Sequence, residues 1–315
     1  MHGTLRFFLA IAVVLSHLNV RVYGYNPGVS AVVIFYLLAG MVAYKLNTRV
    51  YPNHAILYYK DRIKRVFPLY LMVLLFAYTV YLLGASSYFI SKTPTFTDYI
   101  ANITVIPLAY YMYTGQDTFT LIPPAWSLGV ELQFYLLAPF ILLSNRKILF
   151  LLISSFIIYL AAIFQLLNTD YFAYRLIVGV LFMFLTGALI EQYRYNQNKS
   201  KYTLVLLYVF LIMNALVIYY FNLQTFYSVE TLFGLLIGIP ILSFLFKPNS
   251  SKIVGLDRFL GNISYAVFLL HFPVIWLLKL LNNGQANAML VLFVTIALSA
   301  IFFNTLYYLN RLALK

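Results

Sequence analysis

The sequence predicts an all-α fold, a polytopic bundle of about ten transmembrane helices with one re-entrant or interfacial segment near residues 99–113. Three observations predict it. Of 315 residues, 63% are hydrophobic and 9% charged, and the mean hydropathy is +0.88, too apolar for the surface of a soluble domain. Apolar runs of about 20 residues, the thickness of a bilayer core, recur from end to end. Basic residues gather in alternate connections, as the positive-inside rule requires. No polar stretch exceeds loop length, so residues 1–315 read as one transmembrane domain.

The expected spans are 4–22, 28–47, 66–86, 125–143, 148–167, 175–192, 203–221, 230–246, 259–281 and 288–308. The first has neither a basic cluster before it nor a small-residue cleavage site after it, so a retained helix is expected rather than a signal peptide. The weaker segment "YIANITVIPLAYYMY" (99–113) contains Asn102, Thr104 and Pro107. Charge decides its treatment. Arg49, Lys60, Arg62, Lys64 and Arg65 mark the loop before the third span as cytoplasmic. If 99–113 does not cross, Arg146/Lys147, Arg194/Lys199/Lys201, Lys247/Lys252/Arg258 and Arg311/Lys315 all share that side, and both termini are cytoplasmic. Arg21, Lys92, Arg175 and Lys279 then remain outside, at or near helix ends.

Composition also excludes chemistry. With no cysteine, disulfides, thiolate metal sites and cysteine nucleophiles are ruled out. The net charge of +13 belongs to loops that fix topology, and no nucleic-acid partner is expected.

Ionisable residues at membrane depth are functional candidates by default. Few occur here: Arg6, His17, Glu131 and His271, beside polar Ser16, Ser127, Gln133 and Ser264. Arg6 lies at the cytoplasmic start of the first span, and His17 is eleven residues on, about 16 Å further out. Eleven residues is about 20° beyond three whole turns, so both share one helix face. Glu131 lies little more than a turn below the outer surface, and His271 about 18 Å along the ninth span. These depths bring His17, Glu131 and His271 to one level, where a carboxylate beside a neutral imidazole suits general-base chemistry. Each has a plainer alternative: an interhelical hydrogen bond for His17, a helix-pairing role for Glu131, a kink marker before Pro273 for His271. Arg62 and Arg65, three apart beside the third span, present guanidiniums on one face suited to phosphate, or act as ordinary positive-inside anchors.

At these residues the chain resembles the membrane acyltransferase 3 family, bacterial enzymes that O-acylate surface glycans. The matching elements run in the family's order: Arg6 and His17 as R-x(10)-H, "FYLLAG" (35–40), Arg62/Arg65 as R-x-x-R, "WSLGVELQFYLLAP" (126–139) and "LGNISYAVFLLHFP". Departures are Ala39 for the usual Ser, Phe268 at a position often Tyr, and Glu131-Leu132 where a Glu pair is common.

The resemblance implies a cytoplasmic acyl-CoA, usually acetyl-CoA, as co-substrate and a glycan or lipid-linked sugar as acceptor, with no tightly bound cofactor and no metal. It implies that Arg62, Arg65 and Arg6 bind the donor, and that His17 acts as general base or acyl carrier. Glu131 would orient His17 or position the acceptor. Trp126 would stack on the sugar, with Ser127, Ser264, Tyr265 and His271 lining the site. The expected location is the bacterial cytoplasmic membrane. Two enzyme readings, acylation outside or of a lipid-linked intermediate inside, stand beside a proton-coupled transporter or exporter of a lipid-linked glycan. No internal repeat of the kind many transporters show is visible. A topology reporter fused at residue 118 is expected to read as extracytoplasmic; a cytoplasmic signal would overturn the treatment of 99–113.

Overall fold

A computed structural model describes residues 2–195, 198–244 and 251–312. Its α-helices are α1 (His2–His17), α2 (Pro27–Lys45), α3 (Ala55–Leu82), α4 (Phe96–Thr104), α5 (Tyr111–Thr114), α6 (Ala125–Ile141), α7 (Asn145–Ile163), α8 (Ile177–Arg194), α9 (Asn198–Tyr220), α10 (Ser228–Phe244), α11 (Ser251–Leu281) and α12 (Ala288–Leu312). Among the described residues the extended backbone amounts to two isolated bridges, so the fold is all-α. Seven segments, built on α2, α3, α7, α8, α9, α11 and α12, are long and apolar enough to cross a bilayer. Three shorter apolar helices, Gly3–His17, Ala125–Ile141 and Ser228–Phe244, occupy the first, fourth and eighth expected spans. Of the basic residues used to orient the chain, Lys247 and Lys315 lie outside the described residues. For Lys199, Lys252 and Arg311 only the backbone is described.

Three helix ends differ from expectation. The first span stops at His17 instead of running to 22. Asn19 adopts a left-handed φ of 62°, and Tyr23 (φ 51°) and Gly24 (φ 85°) then turn the chain so that Val22 pairs with Tyr25. Two successive positive φ values suit the right-handed twist of so tight a hairpin; Gly24 adopts its value at no steric cost, whereas Tyr23 is an unusual residue for it. Helix α3 starts eleven residues before its expected span and α11 eight before. Their charged stretches, around Lys60–Arg65 and Asp257–Arg258, lie on helix, a continuation that an apolar-run criterion does not register.

The segment 99–113 forms no continuous helix. α4 opens on a capping box between Thr95 and Asp98. It ends at Val105, whose φ of 70° is strained for a β-branched residue. Pro107 and the left-handed Gly115 break the chain further. Asn102 is almost wholly buried and explains its own presence: its amide donates to the carbonyl of Phe119 (3.1 Å), and its oxygen accepts from Leu121 N (2.8 Å). That single side chain ties α4 to the returning backbone.

The chain divides into two compact units. Unit 1 comprises Met1–Asn19, Asp61–Gly129 and Lys247–Lys315; unit 2 comprises Val20–Lys60 and Val130–Phe246. Within unit 2, α2 and α8 cross at glycines: a Cβ on Gly40 would lie 1.8 Å from the Phe184 carbonyl oxygen, and one on Gly187 1.9 Å from that of Leu37. In an apolar setting such close backbone approach, rather than hydrophobic exclusion, drives helix association. This is the physical reason for Gly40 in "FYLLAG". Beyond the crossing, Arg49 pairs with Glu191 at 3.2 Å, bringing the C-terminal ends of α2 and α8 to the same level.

Gly40→Ala is therefore expected to destabilise the protein by about 1–3 kcal/mol, read as a lower thermal midpoint in detergent. Gly255→Ala on α11, where a Cβ meets nothing within 4 Å, is the control and is expected to leave the midpoint unchanged or raise it.

Candidate active site

All the sequence-predicted site residues except Glu131 fall in unit 1, and α11 carries the contacts that order them. Near its start, the Asp257 carboxylate accepts from Gly3 N (3.3 Å), Thr4 N (2.9 Å) and the Thr4 hydroxyl (2.9 Å). These are orphan donors of the first turn of α1, so Asp257 caps that helix from its neighbour. Gly3 makes room for it, since a Cβ there would sit 1.8 Å from the Asp257 carbonyl oxygen. Two turns on, the Ser264 hydroxyl donates to Gly261 O within α11 (2.9 Å), while the Tyr265 hydroxyl crosses to α3 and donates to Val66 O (3.3 Å). Further along, the rings of His17 and His271 stack, with centroids 5.2 Å apart and planes 22° off parallel.

These contacts share one offset. Gly3 and Asp257 are 254 residues apart, and so are His17 and His271 (271 − 17 = 254). α1 and α11 thus run parallel and in register over four turns. His17, the last residue of α1, is exposed, whereas His271 is wholly buried. Phe272 meets the His17 ring edge-on at 4.8 Å and is itself flanked by Phe89 at 5.3 Å and Trp276 at 6.0 Å. An imidazole at this position has an apolar aromatic wall on one side and accessible space on the other. The carbonyls ending α1 favour positive charge developing on it.

Arg6 is half-buried on α1. On α3, Arg62 is largely buried and directs Nε (3.0 Å) and Nη2 to Asp61 Oδ2; Arg65, three residues on, is exposed. Asp61 was not foreseen as a partner. It occupies the guanidinium fork of Arg62, leaving Arg65 the more exposed of the two. In the first turn of α6, Ser127 donates to Pro124 O (3.0 Å) and Trp126 is half-buried. Gly129 follows them because a side chain would press on the Val105 carbonyl, 2.8 Å from its Cβ position, in the broken segment.

Glu131 belongs to unit 2, where it is half-buried and accepts a hydrogen bond from the Tyr135 hydroxyl one turn along α6. Spacing of four on a helix was enough to suggest that pair. Asp257 was the larger omission, because it lies in what the sequence suggested was a loop.

With this arrangement described, comparison with known proteins is informative. An acyltransferase-domain profile matches residues 4–308, essentially the whole chain. The protein belongs to the acyltransferase 3 family, and it is a multi-pass membrane protein. It is similar to an uncharacterized protein of Aquifex aeolicus, 37% identical over 57% of this chain and 81% of that one. It is also similar to Staphylococcus aureus proteins named "Putative O-acetyltransferase", for example in strains COL and MSSA476, at 25% identity over 96% of this chain. The chain spans about half the length of those staphylococcal relatives, 55%. No solved structure matches it.

The capping contact is directly testable. Asp257→Ala is expected to lower stability by about 0.5–2 kcal/mol and to reduce acyl transfer more than that loss explains, because α1 and with it His17 lose their register. Unchanged transfer at a lowered thermal midpoint would confine Asp257 to stability.

Proposed function

We propose that this acyltransferase is an integral-membrane O-acetyltransferase of the bacterial cytoplasmic membrane, with both termini cytoplasmic. It moves an acetyl group from cytoplasmic acetyl-CoA to a hydroxyl of an extracytoplasmic polysaccharide or lipid-linked glycan. The observation that carries this reading is the His17 imidazole, exposed at the end of α1 and backed by a second, buried imidazole, with Arg6 eleven residues earlier on the same helix. The printed names of the staphylococcal relatives supply the choice of acetyl group and oxygen acceptor.

In the proposed reaction His17 takes the proton of the acceptor hydroxyl as its oxygen attacks the thioester carbonyl. The new C–O bond forms, the C–S bond breaks, and the CoA thiolate leaves, recovering the proton from the imidazolium. The alternative route, in which His17 first takes the acetyl group itself, uses the same residue as nucleophile. Arg65 and Arg62 hold donor phosphates, the latter by exchanging Asp61 for the ligand, and Arg6 assists. Trp126 offers its face to the sugar ring, and Ser127, Ser264 and Tyr265 line the site.

The test uses purified protein in liposomes with labelled acetyl-CoA and a glycan acceptor. His17→Ala is expected to cut label transfer by about 100-fold or more. Arg62→Ala is expected to raise the KM for acetyl-CoA with a smaller effect on kcat. Transfer by His17→Ala at the parental rate would overturn the reading. Arg62→Ala with unchanged KM would return that residue to topological anchoring.

A further inference from the structure

His271 is more than a lining residue. Its Nδ1 stands 2.8 Å from the carbonyl oxygen of Phe268, one turn back on α11. A carbonyl can only accept, so Nδ1 carries the proton of that contact. The neutral ring then has its lone pair on Nε2. Nε2 is buried and has no hydrogen-bond partner among the described residues. The rings of Phe268 and Phe272, at 6.4 and 5.0 Å, supply no donor for it. A buried acceptor left unmade is destabilising, and an apolar side chain of the same shape would avoid that cost. A polar group kept at such a cost marks a site where the missing partner arrives during function.

The neighbour able to supply it is His17. Two imidazoles joined in their planes by an N–H···N bond of about 3 Å have centroids about 5 Å apart once the ring radii are added. The observed separation is 5.2 Å, but with the rings stacked. Rotation of the exposed His17 side chain about χ1 and χ2, carrying its ring out of the stack and into the plane of the His271 ring, would convert the stack into a hydrogen bond without movement of either helix. We propose that His271 is the positioning residue for protonated His17. When His17 takes the acceptor's proton, its new N–H turns to the Nε2 lone pair of His271, which holds the imidazolium until the thiolate reclaims the proton. The proton stays on His17, and His271 keeps its Nδ1 proton on Phe268. The register of α1 and α11, set at Asp257, is what brings the two rings to this distance.

This inference rests on the general-base reading of His17, and the experiment separates the two. His271→Phe keeps ring shape and removes the acceptor; His271→Gln places an amide oxygen near the Nε2 position; His271→Asn retains only the Nδ1-like end. In the liposome assay His271→Phe is expected to lower kcat about tenfold or more with little change in the acetyl-CoA KM. Its thermal midpoint is expected to be equal or higher. His271→Gln should recover a clear part of kcat and His271→Asn should not, a comparison that stands even if the Phe variant folds poorly. Parental kcat in His271→Phe, or equal kcat in the Gln and Asn variants, with His17→Ala inactive, overturns the role of His271 and leaves the base reading intact. An active His17→Ala overturns both.

Discussion

The parallel register of α1 on α11 is the constraint on which the candidate site depends. It is fixed at one end by three hydrogen bonds to a single carboxylate, Asp257, and by a glycine that lets the backbones approach. Four turns along, the same offset places an exposed imidazole over a buried one. Neither end would position the other if the helices were free to slide. A shift of one turn, about 5.4 Å, would separate the rings altogether. The polar contact is thus spent on alignment, at the half-buried start of the two helices.

The two units solve helix association in different ways. Unit 2 relies on small residues at the α2–α8 crossing and an ion pair where both helices end. Unit 1 uses longer-reaching polar contacts: Asp257 to α1, Tyr265 to α3, and Asn102 to the backbone that returns after the broken segment. The second scheme leaves more irregular backbone, and the chemistry-bearing residues other than Glu131 lie there. Non-helical backbone at membrane depth is tolerated where protein groups satisfy it, and Asn102 does this for the segment around Leu121.

Much of the fold was legible in the sequence because an apolar run of bilayer length admits few structures. Each of the ten expected spans coincides with a helix. Helix ends were less legible for a physical reason. Hydrophobicity reports where lipid would be met, whereas Asn19 ends α1 by its backbone conformation and α3 and α11 continue as helix through charged stretches outside the apolar run. At the site, heights were readable from the rise per residue, so His17 and His271 were expected at one level. Which helices lie side by side was not readable, because lateral neighbours are set by packing between segments some 254 residues apart. Asp257 was missed for the same reason, since it reads as a loop charge until α1 is seen beside it; Asp61 was missed although its partner, Arg62, is its chain neighbour.

The offset between α1 and α11 also bears on how the chain is made. α1 is synthesised well before its partner, which follows only after the 61–129 stretch of unit 1 and all of unit 2 have been made. Until then the first turn of α1 lacks its cap and His17 lacks a ring to rest on. The candidate site therefore assembles only once α11 has been made. A chain stalled before α11 would hold Arg6, His17, Arg62 and Arg65, and yet have no aligned histidine pair.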